Sequence, residues 1–174
     1  MGSSGTGKTT IAKELFGEAY YQNKAYESKS VIDDMPQGIP VNEIEKMFYA
    51  VGFGSVPSWL KPYHVLSNGE KMRVDLARAL LEKDFVVFDE FTSVVDRNVA
   101  QVASLAISKA VRNTGKQFIA VSCHYDIIEW LQPDWIFDTN TMQTNFQSAR
   151  AKKKNLLSDG AGGMNGQSLS VITI

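Results

Sequence analysis

The sequence has few of the features that mark a secreted or membrane-embedded protein. Cys123 is the only cysteine among 174 residues, so no internal disulfide can form and a reducing, cytoplasmic compartment is favoured. No apolar run approaches the ~20 residues of a bilayer-spanning helix. The first residues are rich in glycine rather than apolar, which is not the pattern of a signal peptide. We expect no direct membrane insertion, so any work at a membrane would need another chain.

The sequence also lacks a dominant charge. It carries 18 basic and 19 acidic residues, a formal net charge of −1, so the whole molecule has no electrostatic preference for nucleic acid or for an anionic membrane. Hydrophobic residues make up 44% and charged residues 21%. These proportions are typical of one globular domain with a proper core, and no internal repeat divides the chain.

The most informative stretch lies near the start, where residues 2–9 read GSSGTGKT. It fits G-x-x-x-x-G-K-[ST], a phosphate-binding loop whose glycines bring backbone N–H groups up to phosphate oxygens. Lys8 can reach the β- and γ-phosphates, and the Thr9 hydroxyl can hold Mg²⁺. Apolar residues at i,i+4 spacing predict a helix from Thr9 that ends near Gly17. The N-terminus of this helix would add partial positive charge to the anion site.

Downstream, short apolar runs alternate with segments of helical periodicity. Residues 85–88 form a continuous apolar run, which indicates a strand buried on both faces. Further strands are predicted at 30–33, 117–122 and 135–137, and helices at 41–51, after residue 70, at 97–113 and at 125–131. This alternation favours an α/β fold with a parallel sheet and right-handed crossovers.

Two acids follow the apolar run of residues 85–88. Asp89 and Glu90 lie at the carboxyl end of a predicted buried strand, where ligands bind in open α/β sheets. Adjacent residues of a strand point to opposite faces, so the two acids can act differently. Asp89 suits Mg²⁺ through its water shell, and Glu90 suits the polarisation of an attacking water.

A second anion site is predicted at residues 66–70, which read LSNGE. Ser67 and Gly69 at the start of a helix combine a hydroxyl, backbone N–H groups and the helix dipole. Two phosphate sites in one molecule indicate that two molecules share each nucleotide.

Taken in order, these motifs resemble the nucleotide-binding domain of the ATP-binding cassette (ABC) family. The resemblance rests on GSSGTGKT (2–9), LSNGE (66–70), FVVFDE (85–90), SVVD (93–96) and His124, and it covers roughly residues 1–140. It implies a P-loop NTPase fold with a parallel sheet flanked by helices and a reduced helical subdomain at about 38–80. The cofactors implied are ATP and Mg²⁺.

The resemblance also implies site residues. The phosphates would be bound by Gly2, Ser3, Ser4, Gly5, Thr6, Gly7, Lys8, Thr9 and Thr10. Ser67, Asn68 and Gly69 would contact the γ-phosphate held by the opposite subunit, and Asp96 would communicate across the dimer. Glu90 would be the catalytic base, assisted by His124 and Lys8, and Thr9, Asp89 and Gln37 would serve the metal.

Some positions depart from the family pattern. Gln37 is our choice for the glutamine that senses Mg²⁺ and γ-phosphate, and Asp33 or Asp34 could occupy that place instead. Residues 66–70 (LSNGE) correspond to the family's signature motif. In this signature, Asn68 replaces the usual second-position glycine and Glu70 replaces glutamine. After the catalytic acid, Phe91 stands where proline is common. None of these changes removes a group that the chemistry needs.

The strand that normally precedes a phosphate loop has no counterpart upstream, since only Met1 comes before the motif. Residues 141–167 have the composition of a flexible linker that is basic at 150–154 and then Gly-rich. Residues 168–174 are strand-like. Two interpretations stay open: the tail supplies the strand before the loop, or the chain is truncated and its tail is unrelated.

The expected function is an ATP hydrolase that binds Mg-ATP, dimerises head to tail around it and drives a partner. Nucleic acid or a fused or associated enzyme domain could be that partner, and the small helical subdomain makes a membrane subunit the weaker expectation. The alternatives are a nucleotide-gated dimerisation module without hydrolysis and the ATP-binding subunit of a membrane transporter.

Overall fold

A computed structural model describes residues 1–146 and the backbone of residues 171–173. The helices are α1 (Lys8–Phe16), α2 (Val41–Ala50), α3 (Val56–Trp59), α4 (Asn68–Glu82), α5 (Arg97–Thr114) and α6 (Ile127–Leu131), with 3₁₀ turns at Val31–Asp34 and Tyr63–Val65. The strands are β1 (Phe85–Phe88), β2 (Gln117–Ala120), β3 (Trp135–Asp138), β4 (Gln143–Phe146) and β5 (Val171–Thr173).

The five strands form one sheet in the order β1-β2-β5-β3-β4. All neighbouring pairs are parallel except β3 and β4, which are antiparallel. A short extended segment around Tyr20 runs parallel to β1 on its outer side, through a single bridge to Val87. Because parallel strands align their carboxyl ends, the loops after β1, β2 and β3 meet at one edge of the sheet. The predicted α/β class with a parallel sheet flanked by helices is confirmed.

Helices cover both faces of the sheet. Val87 and Ile119 pack with Ala12 of α1 on one face. On the other face, Phe88 and Phe118 belong to a larger cluster that takes in the buried sides of α4, α5 and α6. The alternation of side chains along β1 and β2 therefore divides the core into two layers. None of the described helices is both long and apolar enough to cross a bilayer.

Side-chain caps fix the ends of the two long helices on the larger face. Asp96 begins α5 by accepting hydrogen bonds from the backbone N–H groups of Asn98 and Val99, each at 3.0 Å. Gly115 ends α5 with a φ of 71°. Ser67 caps α4 in the same way. These caps set where the loops that precede both helices leave the core.

The strand predicted at residues 30–33 is wrong. The structure has a 3₁₀ turn at Val31–Asp34 instead. The acidic side chains explain the difference, because Asp33 accepts a hydrogen bond from Ser30 Oγ, and Asp34 accepts from the backbone N–H and the hydroxyl of Ser28. Short polar side chains that bond to the nearby backbone compete with strand pairing.

A second difference falls at the start of the predicted linker. Residues 143–146 form β4, which pairs antiparallel with β3 between Asp138 and Trp135. The four residues are exposed, so no apolar alternation signalled them. Residues 147–170 and 174, including the basic cluster at 150–154, lie outside the described residues.

Candidate functional site

The phosphate-loop motif adopts a tight turn that runs directly into a helix. Gly7 has a φ of 82°, a left-handed conformation that favours glycine, and it immediately precedes α1. The carbonyl of Gly7 accepts the first helical hydrogen bond, from Ile11 N at 2.9 Å. The free N–H groups of the first turn of α1 therefore face the loop, as an anion site requires.

The Lys8 side chain lies across this loop. Its ammonium group donates to the carbonyl oxygens of Gly2 at 2.8 Å and Ser3 at 2.6 Å. A lysine ammonium has three donors and no acceptor, so phosphate oxygens can take the place of these carbonyls. The geometry keeps the positive charge at the mouth of the loop.

Two residues after β3 hold the loop from outside, and neither of them belongs to a motif that the sequence analysis identified. Thr139 Oγ1 lies 2.6 Å from Thr6 Oγ1, and Asn140 Oδ1 accepts a hydrogen bond from Ser3 N at 3.2 Å. Thr6 Oγ1 also lies 2.9 Å from Ser3 O. The loop is thus fastened to the end of β3, which no local pattern in residues 135–140 reveals.

The two acids follow β1 in a turn with unusual backbone angles. Glu90 and Thr92 have φ values of 52° and 67°, in the left-handed region that residues other than glycine rarely adopt. The Glu90 carbonyl accepts hydrogen bonds from Ser93 N at 3.0 Å and Ser93 Oγ at 2.7 Å, and Asp89 Oδ1 accepts from Glu90 N at 2.8 Å. Backbone strain of this kind costs on the order of 1–3 kcal/mol per residue and concentrates at functional sites.

Asp89 has a neighbour that the sequence did not suggest. The Tyr20 hydroxyl donates to Asp89 Oδ2 at 2.6 Å. The backbone places Tyr20 there, because Tyr21 N donates to Val87 O and Val87 N donates to Ala19 O, both at 2.8 Å. Burial, followed by the hydrogen bond to Asp89, raises the pKa of the Tyr20 phenol above its usual value, so the phenol remains a donor at neutral pH.

These parts surround one cleft at the carboxyl edge of β1 and β2. The cavity has a volume of about 300 Å³. It is lined by Ser4, Gly5, Gly7, Lys8, Thr9, Thr10, Asp89, Glu90, Val121, Ser122 and Cys123. The structure therefore brings a phosphate loop, a lysine and two acids to a single site.

The comparisons with known proteins agree with this arrangement. No family model matches the sequence. The Bacillus subtilis (strain 168) protein named "Putative ATP-binding protein YdiF" is 32% identical over an alignment of 130 residues, and the match covers 62% of this chain and 20% of YdiF. The chain thus spans only about a fifth of the length of this curated relative.

Solved structures match over most of the chain. The ATP-binding cassette of an ABC transporter in its ADP conformation has a TM-score of 0.63 at 16% identity, covering 91% of this chain and 82% of that one. A dimeric cassette in a post-hydrolysis state, bound to ADP and Pi, has a TM-score of 0.60 at 16% identity, covering 79% and 78%. An ATP-bound bacterial Atm1-family ABC exporter gives 0.64 at 18% identity, covering 93% and 36%.

The chain has the fold of an ABC ATP-binding cassette.

The signature segment of this cassette lies apart from the cleft. Ser67, Asn68 and Gly69 are absent from the lining of the cavity, and they form the cap and first turn of α4. The Glu70 carboxylate accepts hydrogen bonds from Ser67 N at 2.9 Å and from Ser58 Oγ at 2.8 Å. The bond from Ser67 N, with further help from Ser58, lowers the pKa of Glu70, so this acid is ionised at neutral pH.

The remaining predicted residues lie outside the lining of the cavity. His124 directly follows Cys123, and its backbone N donates to Ser122 Oγ at 3.1 Å. Gln37 lies in the loop between the first 3₁₀ turn and α2. Gln22 is an alternative to Gln37 for the glutamine that would sense Mg²⁺ and γ-phosphate. It follows the extended segment beside β1 and leaves the sheet at the same edge as Asp89. In the sequence, the only indication of this role is that a glutamine follows two tyrosines.

The donor set fits a magnesium ion. The Thr9 hydroxyl and the Asp89 carboxylate both line the cleft, and Mg²⁺ prefers hard oxygen ligands. Among the described residues no group of three or more His, Cys, Asp or Glu side chains could hold a metal. Mg²⁺ that is shared with nucleotide phosphates needs only one or two protein carboxylates, so a lone Asp89 beside Thr9 is sufficient.

Proposed function

We propose that the chain is an ATP-binding module that hydrolyses Mg-ATP and couples the reaction to a partner. One observation carries the proposal: the cleft holds the phosphate loop with Lys8 on one wall and Asp89 with Glu90 on another. Hydrolysis of a triphosphate needs both walls of the cleft, because cations and N–H groups bind the phosphates while an acid orients the attacking water.

Each side chain has a separate task in this proposal. Lys8 exchanges the carbonyls of Gly2 and Ser3 for β- and γ-phosphate oxygens, while the first turn of α1 supplies backbone N–H groups. Thr9 and Asp89 hold Mg²⁺, which neutralises charge on the transferred phosphoryl group when it is bound. Glu90, placed by its left-handed turn, accepts a hydrogen bond from the attacking water and aligns it with the phosphorus.

Two copies of the cassette form the complete site in this proposal. The start of α4 presents Ser67, Asn68 and Gly69 away from the cleft of its own chain. A second copy related by a twofold axis can place this segment against the γ-phosphate in the first cleft, and the first copy then does the same in the second cleft. Two nucleotides are enclosed in this way. The solved dimeric cassette bound to ADP and Pi supports such an arrangement.

Two kinds of partner for the cassette are proposed. The transporter cassettes among the structural neighbours favour a membrane subunit that a cytoplasmic cassette drives. The short segment between α2 and α4, with α3 as its only α-helix, favours a partner other than a standard transporter subunit, such as nucleic acid or an associated enzyme domain.

Binding of Mg-ATP tests the first part of the proposal. Lys8→Ala removes the ammonium at the loop mouth and should weaken ATP affinity by roughly 100-fold or more, since charge-assisted phosphate contacts are among the strong hydrogen bonds. Lys46→Ala, which removes an exposed lysine of α2, should bind like the original chain. Equal affinity of the two variants in titration calorimetry would contradict a nucleotide site at this cleft.

A further inference from the structure

Two of the loops that line the nucleotide cleft come from different parts of the chain. The phosphate loop contributes Ser4, Gly5 and Gly7, and the loop that follows β2 contributes Ser122 and Cys123. The distance between the two loops sets the width of the space that phosphate groups would occupy. Whatever fixes this distance therefore prepares the cleft for its ligand.

The side chain of Asn140, just after β3, connects the two loops. Its Oδ1 accepts a hydrogen bond from Ser3 N of the phosphate loop at 3.2 Å. Its Nδ2 donates to the Tyr125 hydroxyl at 2.9 Å. Tyr125 follows Cys123 by two positions, in the loop after β2. A single amide thus uses its acceptor on one loop and its donor on the other.

Asp138 fixes the orientation of this amide. The Tyr125 hydroxyl donates its one proton to Asp138 Oδ2 at 3.0 Å, so the tyrosine oxygen is left to accept from Asn140 Nδ2. Asp138 Oδ1 accepts from the backbone N of Asn140 at 2.8 Å. Hydrogen bonds to an ionised carboxylate are stronger than those between neutral groups. The three residues form a closed ring in which every donor meets an acceptor, and this ring keeps Asn140 Oδ1 directed at Ser3.

We propose that Asn140 and Tyr125 are positioning residues of the nucleotide site, which hold the loop after β2 at a fixed distance from the phosphate loop. Neither side chain is among the residues that line the cavity, so both act through the loops that they join. Loops that are held in place before the ligand arrives need not be ordered when it binds, and this raises affinity. The consequence for nucleotide binding rests on the proposed function.

Nucleotide affinity gives the first test. Tyr125→Phe removes one hydroxyl and Asn140→Ala removes the amide, and each should weaken Mg-ADP binding by roughly 5-fold in titration calorimetry. Because both changes break the same connection, the loss in the double variant should stay close to that of Asn140→Ala alone. Single losses that multiply in the double variant would contradict a shared connection. Tyr49→Phe, which alters an exposed tyrosine of α2, should bind like the original chain.

Stability is the control for a purely structural effect. Tyr125 is 46% exposed and Asn140 is also exposed, and substitutions at such positions change the free energy of unfolding little. The variants should therefore melt within about 3 °C of the original chain. Weaker binding that is matched by a large fall in melting temperature would mean that the residues only support the fold.

The backbone amide of Ser3 gives a second test that needs no nucleotide. Its NMR signal depends on the hydrogen bond to Asn140 Oδ1, so Tyr125→Phe, a change in the other loop, should move it beyond the line width. Tyr49→Phe should leave the signal in place. In a chain that already carries Asn140→Ala, Tyr125→Phe should have no further effect on Ser3. A Ser3 signal that does not respond to Tyr125→Phe would overturn the proposal.

The two tests separate this proposal from the proposed function. A chain that binds no nucleotide would contradict the function, and the Ser3 signal would still decide whether Tyr125 acts on the phosphate loop. If Lys8→Ala abolishes ATP binding but Tyr125→Phe moves neither the Ser3 signal nor the affinity, the nucleotide site stands and the connection is wrong. A Ser3 signal that moves without any change in affinity would contradict the positioning role.

Discussion

At the scale of single residues, the proposed metal ligand Asp89 is held in a fixed direction by its neighbour Tyr20. The carboxylate has two oxygens: one accepts from Glu90 N at 2.8 Å and the other from the Tyr20 hydroxyl at 2.6 Å. Partners that orient a metal ligand commonly change metal affinity by 10–100-fold when they are removed.

Tyr20→Phe should therefore weaken the binding of Mg²⁺ or Mn²⁺ to the nucleotide complex by roughly 10-fold, with metal-free ADP affinity unchanged. The measurement is the metal dependence of ADP binding, followed by electron paramagnetic resonance with Mn²⁺. Tyr63→Phe is the matched control, since it removes a hydroxyl that donates to a carboxylate outside the cleft, Asp75, at 2.7 Å. An identical metal dependence in both variants would show that the Tyr20 contact does not orient the ligand.

At the scale of elements, the start of α4 combines a helix cap with a charge. Glu70 accepts three hydrogen bonds, from the backbone N–H and hydroxyl of Ser67 and from the hydroxyl of Ser58. Its pKa is lowered, so its stabilising contribution is present above the usual carboxyl pKa and is lost as pH falls through the lowered value. An ionised acid at a helix N-terminus stabilises the helix, but it opposes the approach of a γ-phosphate.

Glu70→Gln should accordingly have two opposite effects. The free energy of unfolding at pH 7 should fall by about 0.5–1 kcal/mol, since the favourable charge at the helix start is lost. The affinity of the ATP-dependent dimer should rise several-fold, since a negative charge leaves the phosphate contact. Glu43→Gln, in the first turn of α2, removes a comparable charge outside the signature and should change only stability. Sedimentation with Mg-ATP measures the dimer, and equal dimer affinity in both variants would contradict the account.

The same elements show what the sequence could predict. β1 and α5 have strong local signals, a continuous apolar run and an apolar stripe with Asp96 and Gly115 at its ends, and both are confirmed. The 3₁₀ turn at Val31–Asp34 was missed because side-chain bonds of Asp33 and Asp34 override the apolar pair. Thr139 and Tyr20 could not be predicted, since their contacts depend on how distant strands align.

At the scale of the whole molecule, stability should depend on pH through the buried Asp75. Burial raises the pKa of this carboxyl group, although hydrogen bonds from the Tyr63 and Tyr26 hydroxyls act in the opposite direction. The folded chain then binds more protons than the unfolded chain between the usual carboxyl pKa and the raised value, so stability falls as pH rises through this window.

Asp75→Asn isolates this contribution, because an amide does not titrate. Melting temperature measured at pH 4, 5, 6 and 7 should therefore fall more steeply towards high pH in the original chain than in Asp75→Asn. Parallel curves for the two chains would show that folding does not raise the pKa of Asp75.

The central claim, hydrolysis of ATP between two copies of the cassette, is tested most directly by steady-state ATP hydrolysis as a function of protein concentration. The rate should rise faster than linearly with protein, and it should vanish in Glu90→Gln while Glu43→Gln retains it. A rate that is strictly proportional to protein concentration, or that survives in Glu90→Gln, would contradict the account. Bound ATP without turnover in every variant would also contradict it, and would favour a nucleotide-gated dimerisation module.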